Sequence, residues 1–139
     1  MNANELMVFE VETTSKQIKT ICDGLNGNQL HFKSNPEHRS ILEQLEHICE
    51  CYHAFLVIHK GGQHNWGSYE IQDKSIENIM KIFNELVDEA KQILLANNDE
   101  KTVENAFHYI TNHDAYHVGQ MARLRLDIEP EWDMYSIYK

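Results

Sequence analysis

The chain has 139 residues, 42% of them hydrophobic, and carries a formal charge of −10 at pH 7. A chain of this size can bury its own core without a disulfide scaffold, so a single domain spanning residues 1–139 is expected. The acidic balance and the scattered Lys and Arg exclude nucleic acid and anionic membrane surfaces as partners, because both require a basic patch.

No apolar run approaches the roughly 20 residues that span a bilayer. The start, Met1 to Glu5, lacks the basic flank and apolar stretch of a signal peptide. A cytoplasmic location is the expectation. The three cysteines, Cys22, Cys49 and Cys51, agree with it, since an odd number without an export signal implies reduced thiols. Cys49 and Cys51 lie two apart in a helical stretch, where side chains diverge by about 200°. They cannot chelate one ion together, and read as small buried helix residues.

Four segments poor in Pro and Gly are predicted to be helices. The first, about Asn4 to Asp23, carries Leu6, Phe9, Ile18, Ile21 and Leu25 as its apolar positions, and Gly24-Leu25-Asn26-Gly27-Asn28 stops it. Asn35-Pro36 lies in the connection that follows. The second opens with the capping-box pattern Ser40-Ile41-Leu42-Glu43 and runs to about Lys60, where Gly61-Gly62 ends it. Ile41, Leu45, Ile48, Tyr52 and Phe55 form its apolar stripe. A polar connection containing Trp66 leads to the third, about Lys74 to Ala96, with Ile76, Ile79, Met80, Phe83, Leu86, Val87, Ala90, Ile93 and Leu94 as its apolar set.

Asn97-Asn98-Asp99 breaks that helix, and the fourth runs from about Thr102 to Leu126, with Pro130 beyond its end. No segment shows the period-two alternation of a strand. The expectation is an all-α fold, a four-helix bundle. The closing stretch, with Trp132, Tyr135, Ile137 and Tyr138, is expected to pack over one end of the bundle.

The fourth segment contains His113-Asp114-Ala115-Tyr116-His117. At about 100° per residue, Ala106, Ile110, His113, His117, Met121 and Leu124 share one narrow stripe. Two imidazoles one turn apart thus interrupt a hydrophobic seam, where unpartnered polar groups are costly. A metal ion satisfies both at once. A third ligand has to come from another helix. His31, His38 and His64 lie in or beside loops and read as solvated. His59 is close to a helix end, while His53 and His108 fall far from their helices' inward directions. His47 remains, on the flank of the second apolar stripe, on the side shared with Cys51, Ala54 and Ile58. Glu43 and Glu50 lie one turn either side of it and could orient an imidazole or supply a fourth ligand.

Taken together, the Ser40-Ile41 start leading to His47, then His113-x-x-x-His117-Val118-Gly119-Gln120, Leu124-Arg125, Pro130, Asp133 and a closing Tyr resemble the DinB-like superfamily, also called the DinB/YfiT family. The resemblance covers nearly the whole chain. It implies a four-helix bundle in which His47, His113 and His117 hold a divalent metal, often nickel or zinc, with Gln120 beside Glu43 and Glu50 as a further candidate to support the ligands. It also implies a homodimer. Characterised relatives include S-transferases and isomerases that use low-molecular-weight thiols such as bacillithiol or mycothiol.

Three functions follow as expectations. In the first, a small-molecule thiol is transferred to an electrophile, the metal lowering the thiol's pKa. In the second, a small substrate is hydrolysed. The His-Asp-x-x-His run differs from the zincin pattern only by Asp for Glu, but Asp114 lies about 80° around the helix from the ligand direction. The third is a non-catalytic metal-binding or stress-response bundle. The residues do not identify the reacting group, be it metal-bound water or a thiolate.

Overall fold

Helix boundaries fall where the backbone's end groups find local partners. The computed structural model describes all 139 residues. Its long helices are α1 (Ala3–Cys22), α3 (Ile41–His59), α4 (Ile76–Ala96) and a fourth built from α5 (Glu100–Ala106), a π-helical turn (Phe107–Thr111) and α6 (Asn112–Ile128). A single-turn α2 (Gly27–Leu30) and a closing 3-10 turn (Met134–Tyr138) complete the chain. There are no strands, and no helix is long and apolar enough to cross a membrane. The all-α four-helix bundle expected from the sequence is the fold observed.

Caps set the ends. Asn2 with Glu5, and Asn26 with Gln29, form complete capping boxes. The Ser40 box is half made: Ser40 Oγ accepts from Glu43 N at 3.1 Å, while the Glu43 carboxylate turns away to Lys33. At the other end of α3, Gly61 adopts φ +84°, and Gly61 N and Gly62 N donate to Ile58 O and Val57 O, a Schellman motif. A Cβ at Gly62 would meet Val57 Cγ1 at 3.0 Å, so a side chain there would force Val57 to shift.

The topology follows from which residues meet. Asn4 reaches Leu94 and Glu12 reaches Lys91, so α1 and α4 run antiparallel. Thr14 meets Asp114 and Ile21 meets Arg125, so α1 and α6 run parallel. Gln44 meets His117 and His47 meets His113, making α3 antiparallel to α6. Glu46 meets Lys74 and Tyr52 meets Phe83, so α3 and α4 lie parallel and residues 60–75 are a long crossover. The bundle is up-down-down-up, with one crossover of the kind known in helical bundles.

Two expectations about packing need correction. Leu6 and Phe9 are 43% and 55% exposed rather than buried. Val11 and Ile18 set the inward face of α1, and small polar residues, Asn4, Thr14 and Ser15, fill it where α1 lies close to its neighbours. In the closing stretch, Ile137 is buried and Trp132 partly so, but Tyr135 and Tyr138 are 67% and 73% exposed. That stretch lies against α1, where Lys16 Nζ bonds the Lys139 carbonyl, and Arg125 stacks over Trp132.

Candidate metal centre

The fourth long helix is not uniform. Its π turn, five residues immediately before α6, fits more residues into a turn and so advances by less than 100° per residue, which rotates everything downstream relative to Ala106. Such turns recur at functional sites. Of the stripe expected from regular spacing, Ala106, Ile110, His117, Met121 and Leu124 are buried and His113 is half-buried, but the centre of the buried face moves off the histidines. The buried face of α6 is centred on Asp114, Val118, Met121 and Arg125, and His117 and His113 occupy its edge facing α3. His117 is 3% exposed and His113 half-buried.

Across from them, α3 presents His47. Its Nε2 lies 3.1 Å from His113 Nε2, which is in turn 3.1 Å from His117 Nε2. All three rings offer ligand atoms within 4.8 Å of one another. Nitrogens held about 2.0–2.1 Å from one ion at tetrahedral angles stand about 3.3 Å apart, so the spacing suits a shared cation.

Hydrogen bonding alone does not satisfy this group. Gln44 Nε2 donates to Arg39 O at 3.5 Å, which leaves Gln44 Oε1 to accept from His117 Nδ1 at 3.0 Å. With its proton on Nδ1, His117 presents a bare Nε2, the tautomer a metal ligand requires. His113 Nε2 can donate to only one of its two neighbours, and the buried His113 Nδ1 has no partner. Burial first, and then the neighbouring histidines and Arg39, hold His117 down at about 3. The same influences put His113 at about 4. Burial, with Arg39, also lowers His47. Burial thus disfavours the protonated form of all three rings and favours lone pairs free to ligate. The three histidines are positioned to bind a metal ion, and the residues fit one.

Of the supporting residues expected, Glu50 and Gln120 lie beside the imidazoles and Glu43 does not. Gln44, buried between Arg39 and His117, was not foreseen; it lies one helical turn before His47 (i−3), which is the signal that could have exposed it. Glu43 pairs with Lys33 at 3.0 Å and touches no imidazole. Glu50 lies 3.9 Å from His47 Nδ1 but bonds more closely to His64 Nε2 at 2.9 Å and to Gly67 N at 3.1 Å. Gln120 Nε2 donates to the Tyr116 hydroxyl, and its side chain exerts only the smallest of the influences on His117.

Glu50 therefore fastens the crossover to α3. His64 is not the solvated loop histidine the sequence implied; its side chain is 4% exposed. His53, expected to face solvent, is half-buried against Tyr69 and His64. Trp66 stacks on Tyr109 of the π turn, placing the crossover beside the centre, whereas the closing aromatics lie on α1.

Asp114 points away from the ligands. It is fully buried, accepting from Tyr52 Oη at 2.8 Å and Thr14 Oγ1 at 3.3 Å. Desolvation pushes it up to about 7, against the downward pull of those two bonds. Its other oxygen has no partner.

Two grooves lie near the site, one lined by His47 itself and one by Gln44, the partner of His117. One of about 250 Å³ is lined by Arg39, Glu43, Glu46, His47, Glu50 and Tyr69. The other, about 640 Å³, runs past Gln44 and Gln120 between Arg39, Arg123 and Leu124.

The family model described as DinB superfamily matches residues 10–121. No curated protein and no solved structure matches the chain.

Proposed function

The chain belongs to the DinB superfamily, and from that premise we propose that it is a divalent-metal-dependent enzyme transferring a low-molecular-weight thiol to an electrophile, with nickel or zinc on His47, His113 and His117. The observation that carries the metal part is the convergence of three Nε2 atoms from two helices. The thiol part rests on the family resemblance. A divalent ion held there would supply Lewis acidity that lowers the pKa of a thiol.

The chain's own residues have separable tasks. Gln44 fixes the His117 tautomer, so that the Nε2 lone pair faces the centre. Glu50 faces His47 while holding the crossover through His64 and Gly67. The 640 Å³ groove is of a size usual for small-molecule sites; Arg123 there pairs with Asp127, which leaves the Arg39 guanidinium as the group suited to anchor a carboxylate of a thiol cosubstrate. Asp114 is spent on Tyr52 and Thr14, so a zincin-like hydrolase using it as base receives no support. A homodimer in the reducing cytoplasm belongs to the same proposal.

Metal analysis of untagged protein tests the centre. Wild type is expected to retain about one divalent ion per chain after supplementation, and His117→Ala none. A wild type that holds no ion overturns the proposal. Conjugation of monochlorobimane with a panel of low-molecular-weight thiols then tests the reaction. Turnover with none of them moves the function to hydrolysis or to a non-catalytic role.

A further inference from the structure

Three cysteines are buried, and they are not equivalent. Cys22 and Cys49 belong to the apolar core; Cys51 does not. Cys51 Sγ lies 3.7 Å from His113 Nε2 and 3.9 Å from His47 Nε2. These are the same nitrogens that face the candidate centre, and the thiol makes no hydrogen bond to the carbonyl one turn back. Cys51 stands four residues after His47, so α3 stacks both donors on one face, while Cys49 turns into the core.

On these grounds we infer that Cys51 is a fourth protein ligand of the centre, completing a donor set of three imidazoles and one thiolate. The inference rests on the metal-binding reading above. A nitrogen about 2.0–2.1 Å and a sulfur about 2.3 Å from one ion stand roughly 3.5–3.8 Å apart at angles from tetrahedral to trigonal. The His113 separation falls at that spacing and the His47 separation just beyond it. Cys51 stands outside the group of donors that lie within 4.8 Å of one another, so ligation draws its sulfur toward His117. Ligation breaks the S–H bond as the metal–sulfur bond forms, and the proton leaves to solvent; nothing is oxidised or reduced. The thiolate also offsets part of a dication's charge, which three neutral imidazoles leave uncompensated in a largely buried site. It adds a soft donor, favouring zinc or a similar ion over magnesium or calcium. A cosubstrate sulfur entering the centre then has to displace Cys51 or bind beside it.

Cobalt(II) reconstitution of the intact chain tests this directly. Wild type is expected to show a near-ultraviolet thiolate-to-cobalt charge-transfer band. The band should vanish in Cys51→Ala and in the near-isosteric Cys51→Ser, and persist in Cys49→Ala. Cobalt affinity in the two Cys51 variants should fall by about tenfold or more. Stoichiometric cobalt without the band in wild type, or a band that survives Cys51→Ser, overturns the fourth ligand and leaves the three-histidine centre standing. Failure of wild type to bind cobalt at all overturns both.

Discussion

Helix α3 faces two neighbours and treats them differently. Toward α4 it buries Ile48, Tyr52 and Phe55 against Ile79 and Phe83, all at 0% exposure, with the Tyr52 and Phe83 rings edge to face at 5.7 Å. Toward α6 it presents Gln44, His47 and Cys51 to His113 and His117. The first contact stabilises in proportion to the apolar area removed from water. The second collects lone pairs on atoms positioned to bind a cation. One interface holds the bundle together; the other uses that rigidity to keep donors converged.

The contrast predicts that the two interfaces fail in different assays. The largest effect belongs to the apolar side. Phe83→Ala should cost about 3–5 kcal/mol of stability, measured by urea unfolding, and leave metal stoichiometry unchanged in the folded fraction. If Phe83→Ala abolished metal binding while the protein stayed folded, the two interfaces would not be independent.

On the polar side, nickel or zinc at a thousandfold excess over Kd should stabilise wild type by about 4 kcal/mol, read as a rise in Tm. His117→Ala should show no such rise. Next comes Gln44→Ala, expected to weaken metal affinity by about 10–100-fold, as loss of a ligand's supporting hydrogen bond does, with little change in the Tm of metal-free protein. An unchanged affinity would mean that His117 needs no help to hold its tautomer.

A smaller effect appears in acid. The folded-state pKa values of His113 and His117, about 4 and about 3, lie below the unfolded value near 6.5. Between those limits the unfolded chain binds protons that the folded chain refuses. The two histidines should therefore destabilise metal-free protein as pH falls from about 6.5 toward 4. Asp114, raised to about 7, contributes in the opposite sense, so the histidine effect is read as the smaller loss in His117→Ala than in wild type. Urea midpoints at pH 7.5 and pH 5 measure the difference.

Much of this contrast was legible in the sequence. Ile41, Leu45, Ile48, Tyr52 and Phe55 repeat at helical spacing, and all five are fully or almost fully buried. The i, i+4 histidines with His47 on a facing helix named the donors that the fold brings together. What escaped depends on geometry that a regular wheel does not carry. The π turn at Phe107–Thr111 shifts the helix register, so that Asp114 and not the histidines sits at the centre of the buried face. Residues 60–75 look like a solvated loop, yet Glu50, three residues from His47, fastens them through His64 and Gly67. Gln44 looks like an ordinary surface amide until the α3–α6 contact closes over it.

Glu43 and Gln44 give the finest test, since they are adjacent, and the sequence points to Glu43 as a supporting residue while Gln44 is the one bonded to His117. Glu43 carries a charge and stands one turn before His47, but its carboxylate pairs with Lys33 across partly exposed surface. Solvent screening limits such a pair to about 0–1 kcal/mol, and its backbone N–H keeps the Ser40 Oγ cap whatever the side chain. Glu43→Ala should therefore shift the urea midpoint slightly and leave metal affinity within error of wild type, in the same titration that shows the Gln44→Ala loss. A tenfold fall in affinity from Glu43→Ala would place its carboxylate in the centre after all, through a side-chain rotation that breaks the Lys33 pair.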